Sequence, residues 1–253
     1  MKVTAVIPAR YSATRLPGKP LADIQGKPMI QWVYEHTREA KGVDRVVVAT
    51  DDDRVAEAVR AFGGEVVMTS SELNSGTDRV AAVAALEHGS SDDIWINVQG
   101  DEPEMPASTI EAALALVRDH DFEIGTAMCP IEALDELDQQ SVVKVIADQK
   151  RRAIYFSRHP IPYSRGPRPE KVSELSCRRH LGLYVYRRST LMEFCALPPS
   201  SIERGEVLEQ LRAIEAGIPI GIVEVPAGSF GIDTPADLER VRKQMSRSGG
   251  SRG

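Results

Sequence analysis

Arg10, Arg15 and Lys19 set three cations within ten residues near the start of the chain. Fixed positive charge at that density suits a polyphosphate, because guanidinium and ammonium groups hold phosphate oxygens through charge-assisted hydrogen bonds. Pro8, Pro17 and Pro20 restrict the backbone around them and Gly18 lets it turn sharply, so the charges are in place before anything binds. On charge alone, a solvated basic loop is an equal reading. Asp101 adds a second chemistry: it follows Gly100 in NVQGDEP, directly after an apolar run. A hard cation such as Mg2+ takes one or two carboxylates together with substrate phosphate oxygens. The competing reading is a type I turn, which fits Glu102 and Pro103 better than Asp101.

Further along, Ser75, Gly76 and Thr77 in NSGTDR (74–79) open a helical run and offer backbone N–H groups and hydroxyls to an anion or a nucleotide edge. A capping role for Ser75 and Asp78 is as good a local reading. Asp51, Asp52 and Asp53 follow a strand, where helix capping explains them better than metal binding. Asp233 stands ahead of Pro235 in GIDTP; the local pattern favours a cap, with a second metal carboxylate as the alternative. His180, Gly182, Tyr184 and Tyr186 fall on one side of the strand RHLGLYVYR, beside a proline- and arginine-rich segment at 157–178. A histidine and two tyrosines on one face fit the polar wall of a small-molecule pocket. Tempting signatures fail: Gly18 and Lys19 lack the upstream glycine of a Walker A loop, no G-x-G-x-x-G follows a strand, and S-x-x-K at 141–144 is chance composition.

The elements that must position these residues alternate between strand and helix. A strand over 3–7 is closed by Pro8. A helix led by Pro28 carries Met29, Ile30, Val33 and Thr37 at helical spacing and stops by Gly42. RVVVAT at 45–50 reads as a strand buried on both faces, as in a parallel sheet. More strands are expected at 65–69, 93–99 and 123–128, with helices at 80–87 and 107–117 between them. Shorter strands at 142–146 and 153–156 turn the sheet mixed. Helices at 189–197 and 207–216, the second carrying Glu209 and Gln210, precede a strand at 218–225 and a helix after Pro235. Open sheets of this kind bind ligands outside the carboxyl ends of their strands, where the Arg10 to Lys19 loop and Asp101 both fall.

Composition bounds the class. The 253 residues are 42% hydrophobic and 27% charged, with a formal net charge of −6. That is a globular balance, and it excludes a nucleic-acid binder with a broad basic face. Cys129, Cys177 and Cys195 show no C-x-x-C spacing, which suits a reducing compartment and neither a disulfide framework nor a zinc site. The apolar start is too short for a signal segment and no apolar run reaches membrane-spanning length, so a cytoplasmic place is expected. With no repeat or linker, a single α/β domain is expected over 1–245, with a distinct subregion at about 142–187. A disordered tail of Ser, Gly and Arg follows at 246–253.

IPARYSATRLPGKPL, NSGTDR, NVQGDEP, YFSR at 155–158, RHLGLYVYR, LEQLR at 208–212 and GIDTPADLERV run in order along the chain. Together they resemble the 3-deoxy-manno-octulosonate cytidylyltransferase family, the CMP-Kdo synthetases. The resemblance implies a three-layer Rossmann-like sandwich with a mixed, mostly parallel sheet, of the nucleotide-diphospho-sugar transferase type. It implies transfer of CMP from CTP to the anomeric 2-hydroxyl of 3-deoxy-manno-octulosonate (Kdo), with pyrophosphate released, for lipopolysaccharide biosynthesis. It also implies a homodimer, with 142–187 as the sugar-binding and dimer subregion. Residue by residue, Ala9, Arg10, Arg15, Lys19, Ser75, Gly76, Arg79 and Gln99 would bind the nucleotide. Asp101 and Asp233 would hold Mg2+ and, with Arg10 and Lys19, form the catalytic set. Arg158, His180, Tyr184, Glu209 and Gln210 would line the sugar pocket. Three readings compete: the same reaction on another acidic ketosugar such as a sialic acid or 8-amino Kdo, a glycosyltransferase, and a non-catalytic nucleotide-binding module. The glycosyltransferase would want a D-x-D motif where Gln99 stands two places before Asp101.

Overall fold

Runs of buried valine and isoleucine become strands, and amphipathic runs between them become helices. The computed structural model describes residues 1–12, 16–167 and 169–249; Arg15, an expected phosphate ligand, lies outside the described residues. In chain order the strands are β1 (Val3–Pro8), β2 (Asp23–Ile24), β3 (Lys27–Pro28), β4 (Arg45–Thr50), β5 (Val66–Met68), β6 (Ile94–Asn97), β7 (Ile124–Cys129), β8 (Lys144–Ala147), β9 (Ala153–Ser157), β10 (Arg178–Arg187) and β11 (Ile220–Glu224). The helices are α1 (Met29–Glu39), α2 (Asp53–Ala61), α3 (Gly76–Leu86), α4 (Ala107–Arg118), α5 (Arg188–Ala196), α6 (Ser201–Glu206), α7 (Leu211–Glu215) and α8 (Pro235–Gly249). They gather into two compact units. The first comprises 2–89, 95–108 and 229–253, the second 90–94 and 109–228 together with Met1.

In the first unit the strand order is β6-β1-β4-β5. β1 runs parallel to β4, and β4 parallel to β5, which explains why RVVVAT is buried along its length. α1 and α3 pack on β1 and β4. Ile24, Met29, Ile232, Leu238 and Val241 form a buried cluster that anchors α8. Ile24 belongs to a small hairpin, β2 paired with β3, that sequence reading missed. Its turn uses Gln25 and Gly26 at φ 53° and 81°, the left-handed pair that a two-residue hairpin loop requires. α8 runs on to Gly249, so the segment expected as a tail begins as helix. Once the anchored turn at Leu238 and Val241 exists, propagation adds one hydrogen bond per residue fixed.

The second unit holds the order β11-β7-β10, with β8 pairing β10 and β9. β11 is parallel to β7, whereas β10 is antiparallel to both β7 and β8, and β8 to β9, so the pairing is mixed as expected. Gly125 is required here, since a Cβ would come 2.8 Å from the carbonyl oxygen of Ala113. All three cysteines are free. The helix expected at 207–216 is corrected. α6 starts earlier through a Ser200 and Glu203 capping box and ends at Val207, whose φ of 54° and ψ of 49° are left-handed; α7 starts only at Leu211. Both units are α/β. No helix among the described residues is long and apolar enough to cross a membrane.

Candidate active site

β1 and β6 carry the chain to adjacent ends in the first unit, where Val98 N donates to the Val6 carbonyl at 3.0 Å. A Cβ on Gly100 would lie 2.6 Å from the carbonyl oxygen of Pro8. Only glycine passes so close to another backbone, and the residue delivered next is Asp101. The Asp101 carbonyl accepts from Ile232 N at 3.0 Å, and the Ser229 hydroxyl donates to the buried Glu102 carboxylate. These bonds bring the 229–233 segment, with Asp233, alongside Asp101. The local reading of Asp233 as a helix cap is corrected. Asp237 N donates to Thr234 Oγ1 at 3.2 Å and Thr234 N to Asp237 Oδ2 at 2.9 Å, so Thr234 caps α8 and Asp237 completes the box.

Lys19 enters from a single 3-10 turn, Lys19–Leu21, that follows Gly18 at φ 70°. Its Nζ donates to Asp101 Oδ2 at 2.7 Å and to Asp233 Oδ1 at 3.1 Å. Burial alone would lower the lysine pKa, but the charge of Asp101 and hydrogen bonds to both carboxylates outweigh it and the pKa is raised. Two carboxylates therefore converge on one point of positive charge. That oxygen-only donor pair fits a hard divalent cation. Among the described residues no group of three or more His, Cys, Asp or Glu could hold a metal. A cation here would complete its shell from phosphate oxygens and water, as Mg2+ commonly does.

The expected nucleotide residues share this unit. Ala9 is buried and its N donates to the Ala49 carbonyl at 2.9 Å. The Arg10 guanidinium donates to the Leu73 carbonyl. Ser75 caps α3 through Asp78 N at 3.0 Å and the reciprocal bond from Ser75 N to Asp78 Oδ2 at 3.1 Å. Gly76 lies against Pro8 and Asn97, and Gln99 is half-buried. Arg79 is wholly buried, donating to the Thr69 hydroxyl and to Asp51 at 3.1 Å. Asp51 is thus an ion-pair partner, while Asp52 is the residue that caps α2. Arg79 Nε and Asn97 Oδ1 are buried with no partner among the described residues, an arrangement that costs free energy.

The expected sugar residues share the second unit. His180 Nε2 is hydrogen-bonded to Thr126 Oγ1 at 3.0 Å, and its ring meets Phe156 edge-on at 4.9 Å and Tyr184 at 5.4 Å. Desolvation lowers its pKa to about 3. Tyr184 stacks on Tyr186 at 5.9 Å. Burial, then the charges of Tyr186 and Glu209, raise its pKa well above the ordinary value, and its buried hydroxyl has no partner among the described residues. β10 is irregular between Leu181 and Tyr184, yet His180, Tyr184 and Tyr186 still form one ladder of rings. Gln210 is buried. Arg158 spends its guanidinium locally: Nε, Nη1 and Nη2 donate to the carbonyls of Glu206, Gln140 and Val207 at 2.9, 2.8 and 3.1 Å. Sequence reading missed Glu102 with Ser229, and Lys144 with Glu206, because a polar residue in a short or irregular segment carries no periodic sign of burial.

Asp101 beyond β6, Asp233 ahead of α8 and Lys19 between them form a charge cluster in a parallel α/β unit, an arrangement suited to a protein that handles phosphate. Residues 4–220 match a family model described as Cytidylyltransferase. A 3-deoxy-manno-octulosonate cytidylyltransferase of Geobacter metallireducens is 49% identical, with 98% of this chain and 99% of that protein covered. One from Escherichia coli is 47% identical, with 97% of each covered. A solved CMP:2-keto-3-deoxy-manno-octonic acid synthetase complexed with CTP superposes with a TM-score of 0.89 at 45% identity, covering 98% of this chain and 100% of that one. The chain belongs to the 3-deoxy-manno-octulosonate cytidylyltransferase family.

Proposed function

We propose that this chain is a nucleotidyltransferase that moves CMP from CTP to the anomeric 2-hydroxyl of Kdo, giving CMP-Kdo and pyrophosphate for lipopolysaccharide biosynthesis. The observation that carries the reading is the meeting of Asp101 and Asp233 at Lys19 Nζ, at 2.7 and 3.1 Å. It occurs in a chain similar over nearly its whole length to proteins named for that transfer.

Phosphoryl-type transfer asks a protein for position and charge neutralisation more than for covalent help. Lys19, Arg10 and Arg15 supply countercharge to the triphosphate. Ser75, Gly76, Arg79 and Gln99 surround the cytidine. Asp101 and Asp233 would hold Mg2+, which when bound polarises the phosphate and lowers the pKa of the attacking hydroxyl. His180 is neutral across physiological pH and keeps its hydrogen-bonding capacity. With Tyr184, Glu209 and Gln210 it orients the sugar. The 2-oxygen bonds to the α-phosphorus as the bond to the bridging oxygen breaks; pyrophosphate departs and the hydroxyl proton passes to solvent.

The catalytic domain spans 1–245 and works in the cytoplasm as a homodimer joined through about 142–187. Exposed Ile154 and Tyr163, 51% and 88% accessible, support an interface in that region. Phosphorus NMR of purified chain with CTP, Kdo and Mg2+ tests the chemistry. A phosphodiester product growing in step with pyrophosphate is expected; CTP left intact contradicts the reading.

A further inference from the structure

Lys144 is 0% exposed, yet its ammonium is fully engaged. It donates to the carbonyls of Val142 at 2.7 Å, Gln139 at 3.1 Å and Arg158. The Arg158 guanidinium donates in turn to the carbonyls of Gln140, Glu206 and Val207. The Glu206 carboxylate closes the circuit by accepting from Ser157 Oγ at 2.6 Å and Arg158 N at 2.9 Å. One polar network thus ties together 139–142, 157–158 and 206–207. Such networks are rigid when every member is satisfied.

The joint it grips is Val207. A β-branched residue in the left-handed region is strained and persists only where its surroundings impose it. The Val207 side chain is 74% exposed, so its own packing does little to offset the strain. What holds the turn is Arg158, which binds the carbonyls of Glu206 and Val207 at the joint itself. Glu209 and Gln210 follow directly.

We infer that Glu206 and Lys144 are positioning residues for the acidic-sugar site, their network holding the left-handed turn at Val207 from which Glu209 and Gln210 reach the sugar. The inference rests on the proposed transfer to Kdo. Neither residue touches substrate in this account. Loss of the network therefore loosens the sugar side and leaves the nucleotide side alone.

Steady-state kinetics by pyrophosphate release, with thermal melting alongside, tests this on Glu206→Ala, Glu206→Gln and Lys144→Met. Glu206→Ala should raise KM for Kdo about tenfold, the scale of a small misplacement of binding groups, and leave KM for CTP within about twofold. Glu206→Gln retains an acceptor oxygen and should restore most of the loss. Lys144→Met breaks the circuit from its other end and should show the same split between substrates. If Glu206→Ala lowers the melting temperature and kcat with both KM values unchanged, or moves both equally, the residue is merely structural and the inference fails. Wild-type chain inactive on CTP and Kdo is a different outcome: it overturns the proposed function and takes the inference with it.

Discussion

Lys19 and Asp101, 82 residues apart in the chain, form an ion pair with Nζ 2.7 Å from Oδ2. The pair exists because Gly100 threads past Pro8 and because Gly18, at φ 70°, turns the chain directly ahead of Lys19. Asp233 joins at 3.1 Å, so a cation from the amino-terminal loop and carboxylates from two later segments share one point.

Replacing Asp101 by Asn keeps the side-chain shape and removes one negative charge from that point. Turnover should fall at least about a hundredfold, in line with several kcal/mol of transition-state stabilisation through a metal carboxylate. Titration with Mn2+, followed by electron paramagnetic resonance in the presence of CTP, should show weakened ion binding. Near-normal turnover and unchanged Mn2+ binding would remove Asp101 from the site.

Gly100→Ala sets a methyl 2.6 Å from a backbone oxygen that cannot swing away. The strand ends must separate, at an expected cost of about 2–4 kcal/mol, the range of strained core substitutions. Activity should fall further than stability because Asp101 moves with the backbone. Urea unfolding and turnover on the same samples check both; a variant with wild-type stability would show that the close approach is not enforced.

His180 predicts a pH dependence of stability. Its pKa is lowered to about 3 in the folded chain and returns to about 6.5 on unfolding. Between those values the unfolded state binds the extra proton, so stability falls as pH drops from about 6.5 towards 3 and is unaffected above that window. Thermal melts of wild type and His180→Gln across pH 4 to 8 should diverge in slope only on the acid side. Parallel slopes would mean that His180 titrates normally.

Legibility differed by element for physical reasons. β4 was readable to the residue, since a continuous valine run bounded by Asp51 has strand chemistry and little else. Asp101 stood out because a carboxylate after a glycine at a strand's end has few structural jobs. The β2 and β3 hairpin escaped because two-residue strands carry no period. Val207 misled because Val207, Leu208 and Leu211 mimic a helical stripe, and the left-handed stop usually marked by Gly is here a valine. Asp233 and Thr234 are both competent caps in sequence; only geometry separates the helix-capping residue from the one beside Lys19. The carbonyl partners of Arg158 are invisible in the sequence, because an arginine's tertiary acceptors leave no local pattern.

The central claim is the pairing of a cytidine nucleotide with an acidic ketosugar. Pyrophosphate release from purified chain, with CTP, UTP and ATP crossed against Kdo and sialic acid, with and without Mg2+, tests it most directly. The account predicts rapid release for CTP with Kdo and Mg2+ and near-background rates for the other combinations. Comparable release with sialic acid, or release from CTP that does not depend on Kdo, would contradict it.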